Sequence, residues 1–168
     1  MLSAGLYFFG ETKMTDTFSW ILPAELAVGP YVTAGDIPML RQAGITAILN
    51  LQQPDERPQV PPEVREVFLW QRVPALDGIY GGVPGMDWFA EVVDCLRTWR
   101  EEGETSYVHC YAGRGRSPLA CMAYLAVGCN MRLVEAIWQV KQAHPPTDPN
   151  VHQLLALCQY ARDAFSRP

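Results

Sequence analysis

Apolar residues along the chain alternate between short dense runs and longer stretches where they return every three to four positions. Residues 18–33 (FSWILPAELAVGPYVT) read as short edge strands, interrupted at Pro23 and at Gly29-Pro30. Asp36 is placed to N-cap a short helix, Ile37 to Ala43, which Gly44 stops. Residues 45–51 (ITAILNL) form an apolar run between turn signals, the pattern of a strand covered on both faces. Pro54, Pro58, Pro61 and Pro62 make 52–62 a surface loop, and a second strand is expected from about Glu66 to Val73, ending at Pro74.

The glycine-rich stretch 75–86 (ALDGIYGGVPGM) predicts a mobile loop. Beyond it, Trp88, Phe89, Val92, Val93, Leu96 and Trp99 recur at the spacing of an amphipathic helix, which Gly103 ends. Ser106 to His109 reads as a short buried strand and 116–127 as an apolar helix beginning after a Gly-x-Gly turn. Helices at about 132–143 and 150–164 follow, separated by a loop around Pro145-Pro146. Trp88, Trp99 and Trp138, at helical spacing, are expected in the core. Strands and helices in this order predict an α/β fold with a central mixed, mostly parallel sheet flanked by helices.

Composition narrows this without changing it. A chain of 168 residues with 49% hydrophobic and 18% charged residues is an ordinary globular profile. Its length suits about one domain that needs no staples. Residues 1–17 read as an extension that can be dispensed with, Met14 offering an alternative start, and 18–168 as a single domain. The apolar patch Leu6 to Phe9 lacks the basic flank and the cleavage site of a signal peptide. The net charge of −5, with Lys13 and Lys141 the only lysines, argues against nucleic-acid or membrane-surface partners. Five cysteines (Cys95, Cys110, Cys121, Cys129, Cys158) without metal-like spacing suggest free thiols and a cytoplasmic location. All but Cys110 lie in apolar helical stretches, as buried cysteines usually do.

Chemistry concentrates in Tyr107-Val-His-Cys-Tyr-Ala-Gly-Arg-Gly-Arg-Ser117. A strand leads into this segment and a helix leads out. A glycine-containing loop at a helix N-terminus turns successive backbone N–H groups inward, making a nest for a tetrahedral anion. Cysteines beside a helix N-terminus and an arginine favour the nucleophilic thiolate. Arg116 can hold two phosphate oxygens at once, as lysine cannot. A nucleophile, an anion cradle and a bidentate clamp thus fall within one turn.

Here the chain resembles the cysteine-dependent protein phosphatases of the small dual-specificity type, whose signature is His-Cys-x5-Arg-Ser/Thr. His109-Cys110-YAGRG-Arg116-Ser117 matches it throughout, and AGITAILNL (43–51) and EAIWQVKQAHP with Asn150, Gln153 and Leu154 look like other parts of the family. The resemblance implies a metal- and cofactor-independent, two-step hydrolysis of phosphomonoesters through a cysteinyl-phosphate. Cys110 would attack phosphorus, while Arg116 and the loop of Tyr111, Ala112, Gly113, Arg114 and Gly115 bind the phosphate. Ser117 would assist the leaving sulfur and His109 would orient the loop through backbone hydrogen bonds. Asp77, in the glycine-rich loop where the family keeps its general acid, is the expected proton donor. Asp87 is its rival, though better suited to capping the Trp88 helix.

Several residues carry two readings. Arg114 either reads a second negative charge on the substrate or points to solvent. Tyr111 either lines the pocket wall or packs beneath the loop. Asn150 and Gln153 order loops around the site, or Asn150 simply starts a helix. His144 stands where the family often has arginine before proline. The expected partner is a phosphorylated protein bearing phosphotyrosine and, given the shallow pocket a small chain implies, phosphoserine or phosphothreonine. A phosphatase of phosphoinositides or other small phosphate esters, and an inactive phosphate-binding module, are the rival readings.

Overall fold

The computed structural model describes residues 18–166. The apolar patch Leu6 to Phe9 and the expected N-terminal extension lie outside the described residues. Five short strands form one sheet: β1 (Ser19–Leu22), β2 (Leu26–Gly29), β3 (Ala47–Asn50), β4 (Leu69–Arg72) and β5 (Ser106–His109). Their spatial order is β1-β2-β5-β3-β4. β1 runs antiparallel to β2, and the other three pairings are parallel. The mixed, mostly parallel sheet expected from the sequence is therefore present. β1 and β4 are the edges, whereas β2 lies between β1 and β5 and is buried along its length. The expectation of edge strands throughout 18–33 holds for β1 alone.

Alternation along the inner strands divides the core into two layers. Leu26, Val28, Ala47, Leu49 and Val108 point to one face. There they meet α3 (Met86–Glu101), α4 (Arg116–Ala123), α5 (Leu133–Ala143) and α6 (Val151–Ser166). Ala27, Ile48 and Tyr107 point to the other face, against Leu40 of α1 (Ile37–Gln42) and Val64 of α2 (Pro62–Val67). Among the described residues no helix is long and apolar enough to cross a membrane.

Several local expectations need correction. The stretch 66–73 is not one strand: α2 occupies 62–67, and β4 begins only at Leu69. Pro62 sits at the first helical position, where a missing N–H costs nothing, so the proline pair starts a helix instead of prolonging a loop. Asp36 precedes α1 without capping it. Its carboxylate instead accepts the Thr33 N–H at 2.8 Å and the Thr33 hydroxyl at 2.7 Å, closing the preceding turn. The helix after the Gly-x-Gly turn is α-helical to Ala123 and continues as a wider π turn over Tyr124–Gly128. Trp88 and Trp99 are buried, but Trp138 is 65% exposed on the outer face of α5. Likewise Cys95 and Cys121 are buried, whereas Cys158 is exposed and Cys129 partly so.

Candidate active site

The parallel register brings the C-terminal ends of β2, β3 and β5 side by side, with Gly29, His109 and Asn50 in one row. Cys110 follows directly, and 110–116 turn from β5 into α4. Gly113 has φ +70, and a Cβ there would lie 2.5 Å from the Gly29 carbonyl carbon. Only glycine permits both this backbone conformation and this approach.

The carbonyls of this loop explain where its N–H groups point. His109 Nδ1 donates to the Cys110 carbonyl at 3.0 Å. The Tyr31 N–H donates to Tyr111 O at 3.0 Å and the Asp148 N–H to Arg114 O at 2.7 Å. His144 Nε2 donates to Gly113 O at 2.8 Å. Because a trans peptide directs its C=O and N–H oppositely, each carbonyl held outward aims the next residue's N–H into the loop. The N–H groups of Tyr111, Ala112, Arg114 and Gly115 are thereby organised as an anion nest at the N-terminus of α4.

Cys110 is buried, with its sulfur 3.4 Å from Ser117 Oγ. Ser117 Oγ also lies 3.4 Å from Gly29 O, so its one hydrogen can be given to either acceptor. Arg116 is wholly enclosed. Its Nη1 donates to Glu56 Oε2 at 2.7 Å and to Ala75 O at 3.0 Å, and its Nη2 donates to Glu56 Oε1 at 2.7 Å and to Asp77 Oδ2 at 2.5 Å. Burial alone would raise the Glu56 carboxyl pKa, but the hydrogen bond and charge of Arg116 outweigh it and hold it below the ordinary value. Burial pushes the fully enclosed His109 ring down to about 4, so it is a neutral donor at neutral pH.

Asp77 and Asp87 are separated by this geometry. Asp77 Oδ1 caps a short 3-10 turn by accepting the Ile79 N–H at 3.1 Å, while Oδ2 faces Arg116. Asp87 lies exposed in the first turn of α3, whose N-cap is Gly85, so it neither caps that helix nor joins the site. Asn150 and Gln153 close a reciprocal capping pair at the start of α6, at 2.9 and 3.0 Å. Their amide nitrogens also reach Gly78 O at 3.5 Å and Gly82 O at 3.4 Å, on either side of the turn behind Asp77. Asn150 therefore both starts the helix and steadies the loop.

On the rim, Tyr111 is 44% exposed and stacks on Tyr31, with ring centroids 5.6 Å apart, so it does not pack beneath the loop. Arg114 is exposed and faces Asp148 at 3.5 Å. Ala112 is exposed as well.

Glu56 is the member of this cluster that the sequence did not reveal. It comes from the proline-rich loop after β3, far from Arg116 in the chain. Gln52 Nε2 holds this loop through Pro58 O at 3.0 Å, and Arg72 Nη2 holds it through Gln59 Oε1 at 2.5 Å. The signal in the sequence was the acidic pair Asp55-Glu56 in the loop following the first core strand, which does not say which of the two turns inward.

A mostly parallel sheet with an anion nest at a helix start, a cysteine at its base and an arginine behind it defines a phosphate-handling class of protein. Residues 26–163 match the catalytic-domain model of the dual specificity phosphatases, and the chain belongs to that family. Human dual specificity protein phosphatase 2 is 31% identical over 140 residues, covering 83% of this chain and 42% of that protein. Phosphatidylglycerophosphate phosphatase PTPMT1 of Arabidopsis thaliana is 26% identical over 152 residues, covering 89% of this chain and 45% of that protein. The chain thus spans less than half the length of these curated relatives. Human DUSP28 superposes with a TM-score of 0.71 at 27% identity, over 89% of this chain and 96% of its own. PTPMT1 in complex with PI(5)P gives a TM-score of 0.80 at 20% identity, over 90% of this chain and 99% of its own, a likeness of fold.

Proposed function

We propose that this chain hydrolyses phosphomonoesters through a cysteinyl-phosphate, acting on phosphotyrosine and on phosphoserine or phosphothreonine in proteins. The observation that carries this reading is the convergence of Cys110, Ser117, Arg116 and Asp77 on one nest of backbone N–H groups.

The phosphate oxygens are held by the nest and by Arg116, whose contact with Asp77 a phosphate oxygen replaces. Cys110 Sγ attacks phosphorus as the bond to the leaving oxygen breaks, and Asp77 gives that oxygen its proton. The nest and Arg116 stabilise the charge on the equatorial oxygens, so the loop itself supplies the positive field. Water then attacks phosphorus, the Asp77 carboxylate takes its proton, and the P–S bond breaks. Ser117 donates its hydrogen to the departing sulfur. His109 acts one step removed, fixing the Cys110 carbonyl.

A non-protein phosphoester is the second reading. It is favoured by the likeness to a phosphatidylglycerophosphate phosphatase and by Ile79 and Tyr80, which stand 81% and 73% exposed next to Asp77. Hydrolysis of p-nitrophenyl phosphate in EDTA, wild type beside Cys110→Ser, tests the chemistry. Activity lost in the serine variant supports it, and no activity in freshly reduced wild type favours a binding module. Phosphopeptides compared with phosphoinositide vesicles then decide between the substrate classes.

A further inference from the structure

We propose that His144 is a positioning residue for the phosphate nest, aiming the Arg114 N–H by gripping the Gly113 carbonyl. The inference rests on the phosphatase reading above. Of the donors that hold loop carbonyls outward, Tyr31 and Asp148 use their backbones, and His109 acts on its immediate neighbour. His144 alone among these reaches the loop with a side chain from a distant element, across 31 residues. It holds the peptide that most needs holding. Gly113 sits at φ +70 without a side chain, so little intrinsic preference opposes rotation of the Gly113–Arg114 peptide plane. Were that plane to turn over, a carbonyl oxygen would face the phosphate where an N–H should.

The imidazole is itself locked. His144 follows α5 directly, its own N–H bonded to Val140 O at 2.9 Å and its carbonyl receiving the Thr147 N–H at 3.0 Å. The side chain is 1% exposed. A carbonyl can only accept, so Nε2 carries the hydrogen. In the neutral ring Nδ1 is then an acceptor, and Ser19 Oγ donates to it at 2.8 Å. Both ring nitrogens are thus used, and Ser19 on β1 fixes the tautomer and plane with which His144 meets the loop. The chain thus reaches the loop with a ring N–H donor and links the nest to its first strand.

The test compares His144→Leu, His144→Gln and Ser19→Ala by calorimetric binding of tungstate, an oxyanion that reports on the nest without turnover. Leucine keeps the bulk and removes the donor, and tungstate affinity is expected to fall about tenfold, the equivalent of one lost hydrogen bond. KM should rise in parallel, with kcat changed less. Glutamine places an amide N–H near the position of Nε2 and is expected to restore affinity to within about threefold of wild type. In 15N-labelled protein the Arg114 amide resonance should move on tungstate addition in wild type, and far less in the leucine variant.

Unchanged affinity in the leucine variant, or equal losses in the leucine and glutamine variants with equal losses of melting temperature, would overturn the proposal. If the leucine variant does not fold, Ser19→Ala decides. An affinity loss of about threefold is then expected, and none refutes the relay. Failure of Cys110→Ser to abolish turnover would instead sink the cysteinyl-phosphate reading, leaving tungstate binding to be judged separately.

Discussion

Replacing Glu56 by alanine tests how Arg116 is held. The Arg116 side chain is completely covered, and the Glu56 side chain is 19% exposed. Two charge-assisted hydrogen bonds of 2.7 Å disappear together. Stripping a buried ion of its partner typically costs about 3–5 kcal/mol. Asp77 still faces Nη2, and the Ala75 and Leu51 carbonyls still face Nη1. The expected loss of folding stability is therefore about 2–3 kcal/mol.

The kinetic effect should be larger in proportion. Freed of its brace, the guanidinium turns toward Asp77, and a misplacement of about 1 Å in a catalytic group can cost about 100-fold. Steady-state hydrolysis of an aryl phosphate and urea unfolding, run on the same preparations, separate the two effects. Glu56→Gln retains bulk and one acceptor and should fall between the alanine variant and wild type. A Glu56→Ala enzyme within about twofold of wild-type kcat/KM would refute the claim that Glu56 positions Arg116.

Other expectations follow from the same contacts. Asp77→Asn should bind phosphate analogues yet lose turnover of alkyl phosphates far more than of aryl phosphates, whose leaving groups need less protonation; equal losses would refute Asp77 as the acid. Ser117→Ala should slow hydrolysis of the cysteinyl-phosphate, seen as a burst of p-nitrophenol before a reduced steady rate. Gly113→Ala should abolish tungstate binding, because the new methyl would meet Gly29 backbone at 2.5 Å in a region alanine disfavours. With the His109 pKa lowered to about 4, the unfolded chain takes up a proton that the folded one refuses. Stability is therefore full above about pH 6.5 and falls toward pH 4, by about 3 kcal/mol for this ring, before levelling off. His144, lowered mainly by burial against its bond to Gly113, adds in the same direction. Glu56 contributes in a separate window, its stabilisation lost as pH falls below its ordinary value of 4.5. Urea midpoints measured between pH 4.5 and 7.5 check the sign for the histidines, and a flat profile refutes it.

What could be read from the chain, and what could not, divides by distance along it. His109, Cys110, Gly113, Arg116 and Ser117 are neighbours in sequence because strand, loop and helix start follow without interruption. The strands β3 and β5 were legible because both faces are covered and their apolar runs are nearly unbroken. The end of α2 was misread because Val67 and Phe68, directly before β4, fit a short strand about as well as a short helix. Trp138 was misplaced because helical spacing identifies a stripe of large side chains without saying where the buried face ends.

The phosphate loop with its cysteine and arginine was legible in the chain, since an anion nest is local backbone geometry set by glycine, cysteine and arginine at short spacing. How that geometry is enforced depends on contacts between segments far apart in the chain. Glu56 behind Arg116, Tyr31 and His144 on the loop carbonyls, and Asn150 and Gln153 behind the Asp77 loop come from four other segments. No local pattern announces Glu56 or Tyr31, and His144, Asn150 and Gln153 came forward only through the family resemblance, because their hydrogen bonds exist only once parallel pairing has brought the strand ends to one edge of the sheet.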